Sequence, residues 1–158
     1  MINNTTIIIE ESKRLTATDV RYLCIEKEWY DLGTNDDYSS MLQYVKDNGE
    51  NVTGNAIYNI AKDIVWHTND DLDVNDVMFE LGKLVSVHYE KAGYEGKRYI
   101  MEYHGYLFHG DCDGINRHSF DDWDRVQDII NAYGDDDNLS MYVMDTEHEV
   151  TWHKGEWY

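Results

Sequence analysis

Cysteine is scarce, proline is absent and basic residues are few in this chain of 158 residues. The two cysteines, Cys24 and Cys112, allow one disulfide at most, which excludes the dense framework of a small secreted domain. Cys24 stands among apolar helix residues and is expected as a buried thiol. The lack of proline carries no functional reading. Lys and Arg total 13 against 32 Asp and Glu, a formal net charge of −19. That balance repels DNA, RNA and anionic lipid, which excludes direct nucleic-acid and membrane-surface binding. No apolar run approaches the roughly 18 residues of a membrane span. Met1-Ile2-Asn3-Asn4 lacks a basic stretch followed by an apolar one, so no secretory signal is expected and the expected location is cytoplasmic. The sequence has no Gly-rich phosphate loop, no nucleophile elbow and no dinucleotide fingerprint. No catalytic residue and no cofactor are therefore predicted, and the chain reads as a non-enzyme.

What is present describes a folded chain. Apolar residues make up 42% and aromatics 13%, with 13 Tyr and 5 Trp, whereas a disordered acidic tail would be poor in aromatics. Nor is the acid confined to one segment. Residues 1–90 hold 7 basic and 17 acidic side chains, and residues 91–158 hold 6 and 15. The net charge exceeds the range of about 2–8 suggested for a small soluble domain, and its plain reading is solubility or adaptation to high salt. Such a surface attracts proteins with basic surfaces and speeds encounter with them.

Apolar periodicity predicts an α+β chain: a helical module over residues 1–92 with a short N-terminal strand, then an α+β module over 93–158. The strand runs from Thr5 to Glu10 through Ile7-Ile8-Ile9. Thr16 or Thr18 caps a helix reaching about Trp29, with Val20, Leu23 and Cys24 on one stripe. After a break at Asp31–Asn35, a second helix covers about Asp36 to Lys46, with Tyr38, Met41, Leu42 and Val45 on one face, and Asp47-Asn48-Gly49 ends it. Thr53 opens a third helix to about His67 on Ala56, Ile57, Ile60, Ala61, Ile64 and Val65. Asp73 or Asn75 opens a fourth to about Tyr89, with Val74, Val77, Met78, Leu81, Leu84, Val85 and His88 in period. Composition shifts at Lys91–Gly96. Beyond it the chain reads ββαββ with an antiparallel sheet. The expected strands are Arg98 to His104 and Tyr106 to His109, then, after a helix that Ser119 caps and that runs to Tyr133, Leu139 to Met144 and Glu149 to His153.

The most directed acidic feature is that last helix and the turn after it. Asp121, Asp122, Asp124 and Asp128 are relieved by Arg125 alone, and Asp135, Asp136 and Asp137 extend the surface. Spacings of three and four place Asp121, Asp124 and Asp128 on one face, where like charges cost a few tenths of a kcal/mol per pair. A duplex carries one charge per about 1.7 Å of axis, and a helix rising about 1.5 Å per residue can approximate that density with carboxylates. These acids are candidate partner-binding residues, together with a second patch at Asp70, Asp71, Asp73 and Asp76. The competing reading of both is a solvated helix face, and in the second patch a favourable helix dipole.

His104, His109, Asp111, Asp113 and His118 raise a metal site as an alternative, because zinc accepts His and Asp. No established zinc pattern is met, and Asp111-Cys112-Asp113-Gly114 departs from a calcium loop, so no metal is predicted. Cys112 near His109 and His118 also suggests a thiol–imidazole pair on proximity alone. Trp152 is expected in the core, and Trp157 and Tyr158 at a strand end.

One stretch carries a resemblance. It comprises Leu15 to Cys24, Trp29-Tyr30, Gly33-Thr34-Asn35-Asp36-Asp37-Tyr38, Ile57 to Ile64 with Trp66-His67, and Val77-Met78-Phe79-Glu80-Leu81. Over roughly residues 15–90 this pattern resembles small acidic modules encoded by phages and mobile elements of Gram-positive bacteria. Such elements carry anti-defence genes, of the anti-CRISPR and antirestriction types, and several of those inhibitors resemble nucleic acid in their charge. The resemblance implies a bacterial host cell and supplies no catalytic residue. The expected function is an inhibitor that occupies the basic nucleic-acid site of a defence nuclease by mimicry. The expected partner is an RNA-guided CRISPR nuclease, whose PAM-reading arginines offer carboxylates a target, or a restriction enzyme. The alternatives are an immunity protein for a basic nuclease toxin, and a metal-binding enzyme using the His104–His118 cluster.

Overall fold

A computed structural model describes residues 14–29, 35–68, 71–86 and 97–158, with the backbone alone at 35–38 and 86. The chain divides into two compact units, Met1–Glu90 and Lys91–Tyr158. Among the described residues there are five helices and one five-stranded antiparallel sheet, an α+β protein whose helices lie mostly ahead of the strands. The expected strand at Thr5–Glu10, the break at 31–34, Asp70, the tail of the fourth helix at 87–89 and the boundary at 91–96 lie outside the described residues.

The first unit holds four helices. Helix α1 spans Ala17–Lys27, and the Thr16 hydroxyl caps it by accepting the Asp19 N–H. It ends at Glu28, whose left-handed backbone (φ 57°) aims the N–H back at the last carbonyls. Every residue from Ala17 to Ile25 is buried, including Thr18, Asp19 and Arg21. The single apolar stripe read from Val20, Leu23 and Cys24 therefore understates its burial: the polar residues between them hide it from periodicity. Helices α2 (Asn35–Asn48), α3 (Gly54–His67) and α4 (Val74–Ser86) are amphipathic as their spacing predicts. Met41, Leu42, Val45, Ile60, Ile64, Val77 and Leu81 are fully buried, each contributing roughly 1.5–3 kcal/mol over exposure. Gly49 follows α2 where the Leu15 N–H reaches its carbonyl at 2.7 Å, and a Cβ there would overlap the Leu15 and Val45 carbonyl oxygens.

The second unit is a sheet with strand order β2-β1-β3-β4-β5. Its strands are β1 Tyr99–His104, β2 Ile115–Phe120, β3 Tyr142–Asp145, β4 Val150–His153 and β5 Glu156–Trp157. Helix α5, Trp123–Tyr133, lies between β2 and β3 in sequence. Alternation sends Tyr99, Met101, Tyr103, Val143 and Trp152 into one core with Val126, Leu139 and Met141, against which Trp123, Ile129 and Ile130 pack. On the opposite face Ile100, Glu102, Tyr142, Met144, Thr151 and His153 are buried as well.

Three expectations for this unit are corrected. Tyr106–His109 is not a strand: Gly105 (φ 129°) and Gly110 (φ 92°) bend the chain, and Asp111 captures the Leu107 and Phe108 N–H groups. The partner of β1 is β2, whose last residues coincide with the expected helix start at Ser119. Ser119 consequently pairs with Ile100 instead of capping α5, and the cap is Asp122. A fifth, two-residue strand closes the sheet, pairing Trp157 with Trp152. No helix among the described residues is long and apolar enough to cross a membrane.

Candidate acidic interface

Asp122, extended in backbone, caps helix α5, its side-chain oxygen accepting the Asp124 N–H at 2.9 Å. Val126, Ile129 and Ile130 turn toward the sheet core, leaving Asp124, Asp128 and Asn131 exposed, with Asp121 exposed just ahead. Gly134 closes the helix where a Cβ would strike the Ile130 carbonyl and the Trp152 ring. Its N–H donates to that carbonyl at 2.7 Å. Asp135, Asp136 and Asp137 follow, all exposed. The seven predicted acids of this segment thus lie on one helix and its two flanks.

The basic side chains of the same unit do not neutralise them. Arg98 forms a two-pronged contact with Asp145 at 3.0 Å and reaches Glu147 at 3.2 Å. Arg117 reaches the fully buried Glu102 across the β1–β2 pair at 3.4 Å. Arg125 lies on the same helix as the acids, but its guanidinium sits over the Phe120 ring, 5.5 Å from the centroid. Lys154 meets Asp137 at 3.5 Å with 41% and 87% of the two side chains exposed, a geometry that contributes little. Among the described residues, Asp121, Asp122, Asp124, Asp128, Asp135 and Asp136 have no ion-pair partner.

Stability explains part of this arrangement. Asp122 caps the helix and Asp124 lies at its positive end, a favourable placement. Asp136 accepts the Asn138 N–H at 2.9 Å and shapes the following turn. Asp128 one turn after Asp124 is unfavourable, and Asp135–Asp137 follow the negative end of the helix, where cations are favoured. The carboxylates without a local structural duty are therefore Asp121, Asp128 and Asp135.

The second predicted patch has a simpler account. Asp73 accepts the Asn75 N–H at 2.9 Å and opens α4, and Asp76 sits in its first turn. Asp71 is exposed, and Asp70 lies outside the described residues.

The His104–His118 segment builds a hydrogen-bond hub. Asp111 Oδ2 accepts from the Tyr103 hydroxyl at 2.5 Å, the Leu107 N–H at 2.8 Å and the Phe108 N–H at 2.7 Å, while Oδ1 meets His118 Nε2 at 2.8 Å. Burial alone would raise the Asp111 carboxyl, but these bonds outweigh it and hold the group well below the usual carboxylate range. Burial and the same carboxylate push the Tyr103 hydroxyl far up. The His118 ring stacks on Tyr103 at 5.8 Å and packs against Phe108 at 4.7 Å. His109 and Asp113 are exposed, and His104 is half-buried. Among the described residues no three His, Cys, Asp or Glu side chains converge as metal ligands. Cys24 is a buried thiol and Cys112 an exposed one, both unbridged. Alternation along β1 places Tyr103 in the core, but nothing local in the sequence marks Asp111 as its partner. No protein-family model, curated protein or solved structure matches the chain.

Proposed function

We propose that this chain is an acidic inhibitor protein that occupies a basic nucleic-acid-binding site of a bacterial defence nuclease, an RNA-guided CRISPR nuclease first, by presenting carboxylates in place of phosphates. One observation carries the reading: the acids along and around α5 are exposed and, Asp137 apart, without an ion-pair partner among the described residues, while Arg98, Arg117 and Arg125 of the same unit are engaged elsewhere. A sequence under selection for stability alone gains by interleaving Lys at Asp128 and Asp135. The net charge of −19 adds long-range attraction toward a Lys/Arg-lined channel. The hub at Asp111 supports no catalytic alternative, because its carboxylate is consumed by donors of its own hairpin.

The test is target-DNA cleavage by purified RNA-guided nucleases and restriction enzymes, with the protein titrated in. Inhibition that excess target DNA relieves, and that weakens steeply as salt rises, supports mimicry. Absence of inhibition across such a panel removes the support for a nuclease partner.

A further inference from the structure

The turn between β3 and β4 contains a triangle of atoms that one ring nitrogen cannot satisfy in a single protonation state. Arg98 Nη2 lies 2.7 Å from His148 Nδ1 and 3.0 Å from Asp145 Oδ2, and that Nδ1 lies 2.9 Å from the same oxygen. A guanidinium nitrogen only donates, and an ionised carboxylate only accepts. His148 Nδ1 accepts from Arg98 when bare and donates to Asp145 when it carries a proton, and the two roles exclude each other. Asp145 stays an acceptor throughout: burial alone would raise its carboxyl, but the bonds from Arg98 and His148 hold it down to about 2. Arg98 stays cationic. Of the three residue types in the triangle, histidine is the one whose ring takes up a proton between about pH 5 and 8.

We propose that His148 is a proton-operated selector of the Arg98 guanidinium. In the neutral ring, Nδ1 accepts from Arg98 and the ring proton sits on Nε2. On taking up a second proton, Nδ1 donates to Asp145 and Arg98 Nη2 loses an acceptor and gains a like-charged neighbour. Arg98 has an alternative at hand, because Nη1 is already 3.2 Å from Glu147. Its guanidinium also lies over the Tyr99 ring, 4.9 Å from the centroid. Among the described residues, Tyr99 on β1, whose hydroxyl burial raises, and Glu147 also act on Arg98, and Asp122 ahead of α5 acts on the Tyr99 hydroxyl.

The backbone around the triangle is independently held. The Thr146 N–H and hydroxyl both donate to the Arg98 carbonyl, at 3.0 and 2.7 Å. Asp145 Oδ1 accepts the Glu147 and His148 N–H groups. The exchange is therefore confined to side chains. The imidazole is 63% exposed, so its proton needs no opening of the fold.

Nitrogen-15 NMR of the full chain from about pH 5 to 8, the window in which histidines titrate, tests this. At the upper end the His148 ring is expected as the Nε2–H tautomer. The Arg98 Nε–H resonance is expected to move with the same midpoint as the ring, and to stop moving in His148→Ala. A neutral ring carrying its proton on Nδ1 overturns the proposal, and so does an Arg98 resonance that titrates unchanged in the variant. The tautomer measurement needs no variant, so it decides even where His148→Ala alters the turn.

Discussion

Replacing Asp111 with alanine is expected to destabilise the sheet unit by about 3–5 kcal/mol, the cost of removing one member of a buried charged network. The carboxylate is 2% exposed and serves four donors. Alanine leaves the Tyr103 hydroxyl, on a fully buried residue, and two loop amides without their acceptor, at about 1–3 kcal/mol for each group that water cannot reach. Relaxation of the hairpin tip toward solvent returns part of that sum. For a chain of this size about 1 kcal/mol shifts the melting temperature by roughly 2–4 °C, so the transition should fall by about 6–20 °C. Asp111→Asn keeps an acceptor and is expected to lose less. Thermal unfolding by near-ultraviolet circular dichroism reads the loss, and hydrogen exchange of the Leu107 and Phe108 amides locates it. An alanine variant within about 1 kcal/mol of wild type would refute the claim that this carboxylate builds the hairpin, since a single net hydrogen bond is worth that much.

Asp122→Ala should cost about 1 kcal/mol through loss of the α5 cap, seen as a lower denaturant midpoint; an unchanged midpoint contradicts the cap assignment. Ser140→Gly should raise stability by about 1–2 kcal/mol, because a non-glycine residue in the left-handed region is strained and this buried hydroxyl has no hydrogen-bond partner among the described residues; a lower melting temperature would count against that. The pH dependence has a definite sign. Folding depresses the Asp145 carboxyl to about 2, so its stabilisation is complete above the unfolded value near about pH 4 and is lost as pH falls toward about 2. Asp145→Asn should flatten an acid-unfolding curve in that window, and an unaltered curve contradicts the assignment. Asp128→Lys should raise stability by a few tenths of a kcal/mol by replacing a repulsive pair with an attractive one, and any clear loss would reveal a structural duty for Asp128.

Much of the helical unit was legible because caps and apolar period are local signals. Thr16, one of the two expected caps of α1, and Thr53, the expected opening of α3, both cap their helices, Thr18 lies inside α1, and Ile60, Ala61, Ile64 and Val65 are buried at the expected spacing. Burial of Asp19 and Arg21 was not legible, since a polar residue inside a helix reads as an outward face until its surroundings are known. The sheet misled at Tyr106–His109, where aromatic alternation imitates a strand although side-chain capture by Asp111 claims two of its amides. Strand β2, Ile115–Phe120, carries Asn, Arg, His and Ser and lacks the β-branched density that marks strands, so its pairing with β1 depends on nonlocal partners such as Glu102 for Arg117. Asp124 and Asp128 were readable on α5 from helical spacing, whereas Asp121, expected on the same face, lies ahead of the helix because β2 extends to Phe120 and Asp122 is the cap. The caps formed by Asp122 and Asp136, which separate structural acids from the rest, depend on backbone geometry.

The proposed inhibition depends on where the acid lies, on and beside α5, rather than on total charge. The most direct measurement compares nuclease inhibition by two triple reversals of equal charge change. One is Asp121→Lys, Asp124→Lys and Asp128→Lys. The other is Glu26→Lys, Asp47→Lys and Glu50→Lys, at exposed positions of the helical unit. The account predicts that the first loses inhibition and the second retains most of it at physiological salt. Equal losses, or an α5 reversal that still inhibits, would contradict it.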